Sequence, residues 1–316
     1  MATRVLFDTD IGSDVDDAVA LGLILACPDV LELVAVTTVA GDTGLRSEIA
    51  ARMLGVGGRA DVPVFSGRTR PRLRGQDRYS WFGHEDAMVP EGTASATIHE
   101  ELAHEAIVRI SQDVSDLHVV AVGPLTNLAR AVALDPTLPE RIAGLWVMGG
   151  HIRRVAIGKH VCAPGIDYNL CSDPEASCAV LGAGFRTTLV SADVTLQTWL
   201  RDADVERMAA GGALGRLIAH QIGLWKPVQH QLFTSIGGDL EPANAAYLHD
   251  PLTVQALIDP SALKLETLRI VTTIEGGTLR THEVDPALGI GMETRVATEV
   301  DAAAAERAIV ERLVTL

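Results

Sequence analysis

Apolar and polar positions along this chain fall into blocks whose period changes from one block to the next. Val5–Phe7 is a short continuous apolar run, as expected of a strand covered on both faces, and Asp16–Cys27 follows with apolar residues at helical spacing. Leu31–Val39 is a β-branched run that predicts a second strand, Leu45–Leu54 a helix, and Val62–Phe65 a brief strand. A polar, glycine-containing loop comes next, SGRTRPRLRGQDRYSWFGHED. Ile98–Ser111 then predicts a helix, Leu117–Val122 a strand, Leu125–Ala133 a helix, and Ile142–Met148 a strand that ends at Gly149 and Gly150. Alternation of this kind calls for an α/β fold, an open and mainly parallel sheet with helices on both faces.

Beyond Gly150 the alternation loosens. His151–Asn169 has no clear period and reads as a long loop, which in a compact domain is usually functional. Asp173–Leu181 predicts a helix, Thr187–Ser191 a strand, and Val205–Leu232 a mostly helical stretch broken at Pro227. Leu265–Thr273 and Met292–Val300 read as antiparallel additions to the sheet, before a closing helix over Ala302–Leu313. No low-complexity linker or internal repeat divides the sequence, so residues 1–316 are expected to form a single domain.

Composition narrows the partners. The chain is 47% hydrophobic and 21% charged, a globular balance, and its net charge of −15 argues against a nucleic-acid backbone or an anionic membrane surface. Its apolar runs are too short to span a bilayer, and no basic leader precedes them, so a cytoplasmic location is expected. The four cysteines show no metal-binding spacing and read as reduced thiols. Arg72, Arg74 and Arg78 read as a solvated basic patch.

Against that background one stretch stands out. DTDIGSDVDD, residues 8–17, holds five carboxylates where the first strand gives way to the first helix. One acidic residue suffices to cap a helix, so capping by Asp14 or Asp16 does not account for the group. A hard cation with oxygen ligands, calcium or magnesium, would account for it, with Asp10 converging on Asp14 or Asp17. Other polar residues fall where predicted strands end: Thr37, Thr38 and Asp42, then Thr126 and Asn127, then His249 and Asp250 ahead of a further helix. In an open parallel sheet such positions border the ligand site.

These motifs carry a resemblance. DTDIGSDVDDAVAL is similar to the N-terminal signature of the inosine–uridine-preferring nucleoside hydrolases. LVAVTTVAGD, DVPVFSG, VVAVGPLTNLARAVALDP, LWVMGG, DYNLCSDPEA, SADVT and HDPLTV follow in that family's order. The resemblance implies a Rossmann-like α/β fold and hydrolysis of the N-glycosidic bond of ribonucleosides with one bound Ca2+. By position it implies Asp10, Asp17 and Asp250 as carboxylate ligands and Thr126 as a ligand through its backbone carbonyl. Asp10 would also be the general base for the metal-bound water. Asp16 would hold a ribose hydroxyl, Asn169 would bind the sugar, and His249 would be the acid for a purine leaving group. It further implies aromatic flaps over the base, drawn from Tyr79, Trp81, Phe82 and His84 and from Trp225 and His230, although Trp225 could instead pack against a neighbouring subunit. A homodimer or homotetramer is implied as well.

The sequence departs from the family pattern in places. The signature is two residues longer than DTDPGxDDA and has Ile11 where proline is usual, so the role of Asp14 stays open. Around the sugar, the family's asparagine, glutamate and second asparagine are Asp42, Asp167 and Val161 here. These changes point to a nucleoside altered at its 5′ end, unless a shifted loop lets Lys159 or His160 supply the missing contact. Two other classes stay in view. One is a nucleoside-binding protein with little turnover. The other is a magnesium-dependent phosphatase of the haloacid dehalogenase type, with Asp8 as nucleophile and Asp10 as acid, although the lysine and downstream DD pair it needs are not recognisable.

Overall fold

The computed structural model describes residues 2–71, 82–89, 92, 94–157, 159–165 and 167–316. Tyr79, Trp81, Arg72, Arg74 and Arg78 lie outside the described residues. In the first half of the chain, strand and helix alternate as β1 (Thr3–Thr9), α1 (Asp16–Leu25), β2 (Leu31–Thr38), α2 (Thr43–Val56) and β3 (Val64–Ser66). They continue as β4 (Ile98–His99), α3 (Ala103–Asp113), β5 (Leu117–Ala121), α4 (Thr126–Leu134), the short α5 (Leu138–Arg141) and β6 (Ile142–Met148).

A small hairpin, β7 (Val155–Ile157) with β8 (His160–Cys162), then precedes α6 (Tyr168–Ser172), α7 (Pro174–Leu181), β9 (Thr187–Val190) and α8 (Ala192–Thr195). After these come β10 (Trp199–Arg201), α9 (Asp202–Ala209), α10 (Ala213–Ser235), β11 (Asn244–Tyr247) and α11 (His249–Ile258). The chain closes with β12 (Leu263–Glu275), β13 (Thr278–Val284), β14 (Met292–Val300) and α12 (Ala302–Leu313).

Among the described residues, ten strands form one sheet in the order β13-β12-β14-β9-β6-β5-β1-β2-β3-β4. From β14 to β4 every pairing is parallel, and β12 runs antiparallel to both its neighbours. The order reverses at β1: the chain first builds outward through β2, β3 and β4, then returns to lay β5 on the other side. The carboxyl ends of β1 and β5 therefore flank a topological switch point, where an open α/β sheet leaves a crevice.

Side chains on β1 alternate between two apolar layers, because successive residues of a strand point to opposite faces. Val5 and Phe7 join the layer built with α1, α10, α11 and α12, while Leu6 joins the layer of α3, α4 and α7. All three are fully buried, which explains why the strand reads as a continuous apolar run.

Several elements differ from the expectations above. Ile98–His99 is a strand that pairs with β3, and the helix begins only at Ala103. The long loop after Gly150 contains the β7–β8 hairpin and α6. Pro227 does not break its helix; the break falls at Gly211–Gly212, and α10 runs on through the proline. A proline inside a helix costs about 3 kcal/mol, and the buried Trp225 and Gln229 on either side of it hold the helix in place against that cost. Met292–Val300 joins the sheet parallel to β9 and is antiparallel only to β12.

The crevice end of the sheet leaves little spare room. A Cβ on Gly67, just after β3, would lie 2.3 Å from Asn127 Oδ1 and from the Thr38 carbonyl. By contrast, Gly223 is exposed within α10, with open space where its Cβ would be. We expect Gly67→Ala to lower stability by about 1–3 kcal/mol and Gly223→Ala to raise it by about 0.5–1 kcal/mol, both read from urea unfolding midpoints.

Candidate active site

The residues 8–17 run from the end of β1 into α1, and strand periodicity decides the fate of each carboxylate. Asp8 points to the α4 side, where its Oδ1 accepts hydrogen bonds from Thr37 Oγ1 (2.6 Å) and Asn127 Nδ2 (2.8 Å). Burial raises its pKa to about 7 despite those two bonds. Thr9 points to the opposite face and donates to Asp17 Oδ1. Asp10 lies past the strand, and a Cβ on Gly123 would come within 2.8 Å of its Oδ1. Asp14 accepts from the Val15 and Asp16 amides (2.6 and 3.3 Å) just ahead of α1, whose N-cap residue is Val15. Asp16 and Asp17 form the first helical residues of α1.

Arg46, 1% exposed, organises this loop from α2. Its Nε donates to the Ala40 carbonyl (2.7 Å), its Nη1 to the carbonyls of Asp10 and of Ile11 (2.9 Å), and its Nη2 to Ser13 Oγ (3.1 Å). A single guanidinium thus satisfies the backbone of the turn and brings positive charge under it. The sequence offers no local signal for this role.

From the other end of the chain, α11 delivers His249 and Asp250 as its first residues, and the Asp250 amide donates to Asp16 Oδ2 (3.4 Å). Ligand oxygens of Asp16, Asp17 and Asp250 lie within 4.8 Å of one another, all three residues buried. Asp10, Asp14, Asp16, Asp17, His249 and Asp250 all line one cavity of about 600 Å³. Burial raises the pKa of Asp10 to about 6 and that of Asp14 to about 7, with Arg46 pulling Asp10 back. Burial, followed by repulsion from neighbouring carboxylates, pushes Asp16, Asp17 and Asp250 well above the usual carboxylate range. Uncompensated burial of that much like charge is unfavourable, and a hard cation fits a donor set made only of oxygens. Asp16 therefore joins the candidate ligands, beyond the hydroxyl-binding role expected of it.

The remaining expected residues divide. Asn169 lines the cavity, and its Nδ2 donates to the carbonyls of Val122 (2.7 Å) and Met148 (3.2 Å), tying the ends of β5 and β6 together. Asp167 also lines it, caps α6 through the Leu170 amide (2.8 Å), and is raised in pKa by burial. Thr126 starts α4, with its hydroxyl donated to Asp173 Oδ2 (2.7 Å).

Asp42 is not brought to the cavity: it is exposed, and its carboxylate caps α2 through the Leu45 amide (3.0 Å). Trp225 is 2% exposed, which leaves no surface for a neighbouring subunit; it lines the cavity with Phe82, their ring centroids 5.5 Å apart at 66°. His84 buttresses that pair rather than facing the cavity, with its centroid 5.6 Å from Trp225 and its Nε2 bonded to the Ser13 carbonyl (2.8 Å). His230 is tied to the Asn244 carbonyl (2.8 Å) and does not line the cavity. Asp8 does not reach it either, which removes the nucleophile that a phosphatase reading requires. His151, which was not expected, lines the cavity 6% exposed, its Nε2 making no hydrogen bond but lying 4.0 Å from Asp193 Oδ1.

The sequence profile described as "Inosine-uridine preferring nucleoside hydrolase" matches residues 5–307. The chain belongs to this family. It is 31% identical over 287 residues to the pyrimidine-specific ribonucleoside hydrolase RihA of Salmonella schwarzengrund (strain CVM19633), covering 87% of this chain and 83% of that one. To a probable uridine nucleosidase 2 of Oryza sativa subsp. japonica it is 28% identical, over 81% and 74% of the two chains. The solved structure of a plant nucleoside hydrolase, PpNRh1, superimposes with a TM-score of 0.85 at 26% identity over the full length of both chains. A purine-preferring ribonucleoside hydrolase from Gardnerella vaginalis shares the fold, with a TM-score of 0.80 at 23% identity over 98% of each chain.

As a nucleoside hydrolase the chain is an N-glycosyl hydrolase of ribonucleosides, and the family is metal-dependent. Among the described residues, no helix is long and apolar enough to cross a membrane.

If the acidic cluster takes a cation, binding to the folded state alone must stabilise it. At a free concentration of about 100 times Kd, Ca2+ should add about 2.7 kcal/mol, seen as a rise in Tm over the chelated protein. Asp17→Asn together with Asp250→Asn should abolish that rise.

Proposed function

We infer that this chain, acting as one catalytic domain over residues 1–316, hydrolyses purine and/or pyrimidine ribonucleosides to ribose and free base, with calcium as its cation. The observation that carries this reading is the convergence of Asp16, Asp17 and Asp250 within 4.8 Å in the cavity that His249 also lines. Asp10, Asp16, Asp17 and Asp250, with the main-chain carbonyl of Thr126, would hold the ion, and Asp16 would also hold a ribose hydroxyl. When bound, the cation polarises the attacking water and orients the sugar hydroxyls.

The chain's own groups supply the remaining chemistry. Asp10, held next to Gly123 by the Arg46-bound turn, takes a proton from the attacking water. As the glycosidic bond breaks, positive charge builds on the sugar, and the surrounding carboxylates stabilise it. Burial lowers the pKa of His249 to about 4, so the ring rests neutral and donates only after taking up a proton, which it then passes to the departing base. That base stacks on the wall of Phe82 and Trp225. Asn169, with both amide hydrogens committed to backbone carbonyls, presents Oδ1 to the sugar. The reading includes a homodimer or homotetramer in the cytoplasm, with no nucleic-acid or membrane partner.

Release of free ribose from a panel of purine and pyrimidine nucleosides tests it. Wild type should release ribose only without chelator, and Asp10→Asn should lose roughly 100-fold or more in kcat. Tight nucleoside binding with no ribose from any member would mean a binding protein instead.

A second reading concerns the sugar's 5′ end. The β7–β8 hairpin presents Ile157, Cys162, Ala163 and Pro164 to the cavity. Val161 is 63% exposed, Lys159 pairs with Asp239 (3.5 Å), and neither Lys159 nor His160 lines the cavity. A wall of that kind suits a 5′ substituent without a hydroxyl. On this reading kcat/KM for 5′-deoxynucleosides should lie within about tenfold of the ordinary nucleosides; a preference for the hydroxyl of about 100-fold or more would overturn it.

A further inference from the structure

His249 and Thr195 stand 54 residues apart and come from different helices, yet Nδ1 of the ring and Oγ1 of the hydroxyl share a hydrogen bond of 2.7 Å. Thr195 is completely buried at the end of α8. A threonine in a helix usually turns its hydroxyl back to a nearby carbonyl. Thr253 does so within α11, donating to the His249 carbonyl (3.4 Å), and Thr198, just past α8, donates to the Thr195 carbonyl (3.1 Å). The Thr195 hydroxyl instead reaches across to another element.

The platform that carries Thr195 is firmly tied. The Asp193 carboxylate accepts the amides of Ile152 (2.8 Å) and Arg153 (2.9 Å), and the Ala192 amide donates to the Gly150 carbonyl (2.8 Å). The Leu248 amide donates to the Thr198 carbonyl (3.1 Å), which links the two segments by backbone just ahead of the histidine. Below the ring, Tyr247 stacks on His249, with centroids 5.2 Å apart and planes 29° from parallel. One ring face and one ring nitrogen are thereby fixed. No described residue hydrogen-bonds Nε2, and His249 lines the cavity, so Nε2 is the nitrogen left for a ligand.

We propose that Thr195 is a positioning residue for the reaction: its hydroxyl holds Nδ1 of His249 and thereby aims Nε2 at the departing base. The inference rests on the reading of His249 as the proton donor. In that step the Nε2–H bond breaks and an N–H bond forms on the base, which also takes the electron pair of the glycosidic bond. While both ring nitrogens carry hydrogens, Nδ1 donates to the Thr195 oxygen and keeps its hydrogen as Nε2 gives up its own. A threonine hydroxyl can also donate to Nδ1, so the contact persists when that nitrogen is unprotonated.

The test compares two leaving groups. Inosine or uridine, whichever the wild type cleaves, needs a proton on its base, whereas 4-nitrophenyl β-D-ribofuranoside expels a phenolate that departs as an anion. Thr195→Val keeps the side chain's shape and removes the hydroxyl. It should lower kcat for the nucleoside by about 10- to 100-fold with KM changed less than about threefold, and leave the nitrophenyl riboside within about twofold of wild type. Thr195→Ser should restore the nucleoside rate to within about threefold, and Thr195→Val should cost little more when His249→Ala is already present.

Equal losses on both substrates would mean that Thr195 only supports the fold, and would overturn the proposal. An unchanged nucleoside rate in Thr195→Val beside a large loss in His249→Ala would overturn it while leaving the acid reading intact. If His249→Ala itself spares the nucleoside, or lowers both substrates alike, the acid reading falls and the proposal falls with it.

Discussion

Burial of like charge governs this molecule. Five carboxylates lie between the end of β1 and the start of α1, and Asp250 arrives beside them from α11. A cluster of this kind is tolerable only where the fold supplies compensation. Arg46 contributes part of it from beneath the turn, and the helix N-terminus contributes another part through its dipole and through the amides that Asp14 and Asp16 accept. What these leave over is a cavity wall of oxygen donors suited to a hard cation and to a sugar that becomes cationic as its bond breaks.

The sheet topology explains why the charges can gather without destroying the core. Because the strand order reverses at β1, the crevice opens beyond the carboxyl ends of β1 and β5, outside the two apolar layers. Within β1 the two-residue period sends Asp8 to Thr37 and Asn127, Thr9 to Asp17, and leaves Asp10 free past the strand end. Neighbouring strand ends are then cross-tied by polar groups, with Asn169 holding β5 to β6 and Asp193 holding α8 to the segment after β6. These ties make the site rigid at its base, while its upper walls come from the hairpin and from α10 and carry most of its apolar character.

The chemistry of the nucleoside hydrolase family thus rests on strand ends, and the individual character of this chain rests on the walls. The β7–β8 hairpin turns Ile157 and Cys162 toward the cavity and Lys159, His160 and Val161 away from it, and His151 adds a ring nitrogen that makes no hydrogen bond, close to Asp167 and Asp193. On the opposite side Tyr247, Thr195 and His249 form a stack and a hydrogen bond that fix one imidazole from two directions.

Local features of the sequence determined much of this. The change from two-residue to helical spacing predicted the alternating elements, because burial on a strand or a helix face repeats with the period of the backbone itself. The crowding of aspartates in residues 8–17 marked the site, and the order of the family motifs marked the chemistry. Tertiary structure alone decided the rest. It carried α10 through Pro227, set β14 parallel to β9, and brought Trp225 into the cavity wall while Asp42 capped a helix. It also placed Arg46 under the acidic turn and Thr195 against His249. Each of these depends on contacts between segments far apart in the chain, whose energies outweigh local preference only once the sheet has brought them together. A pattern read along the chain has no access to them.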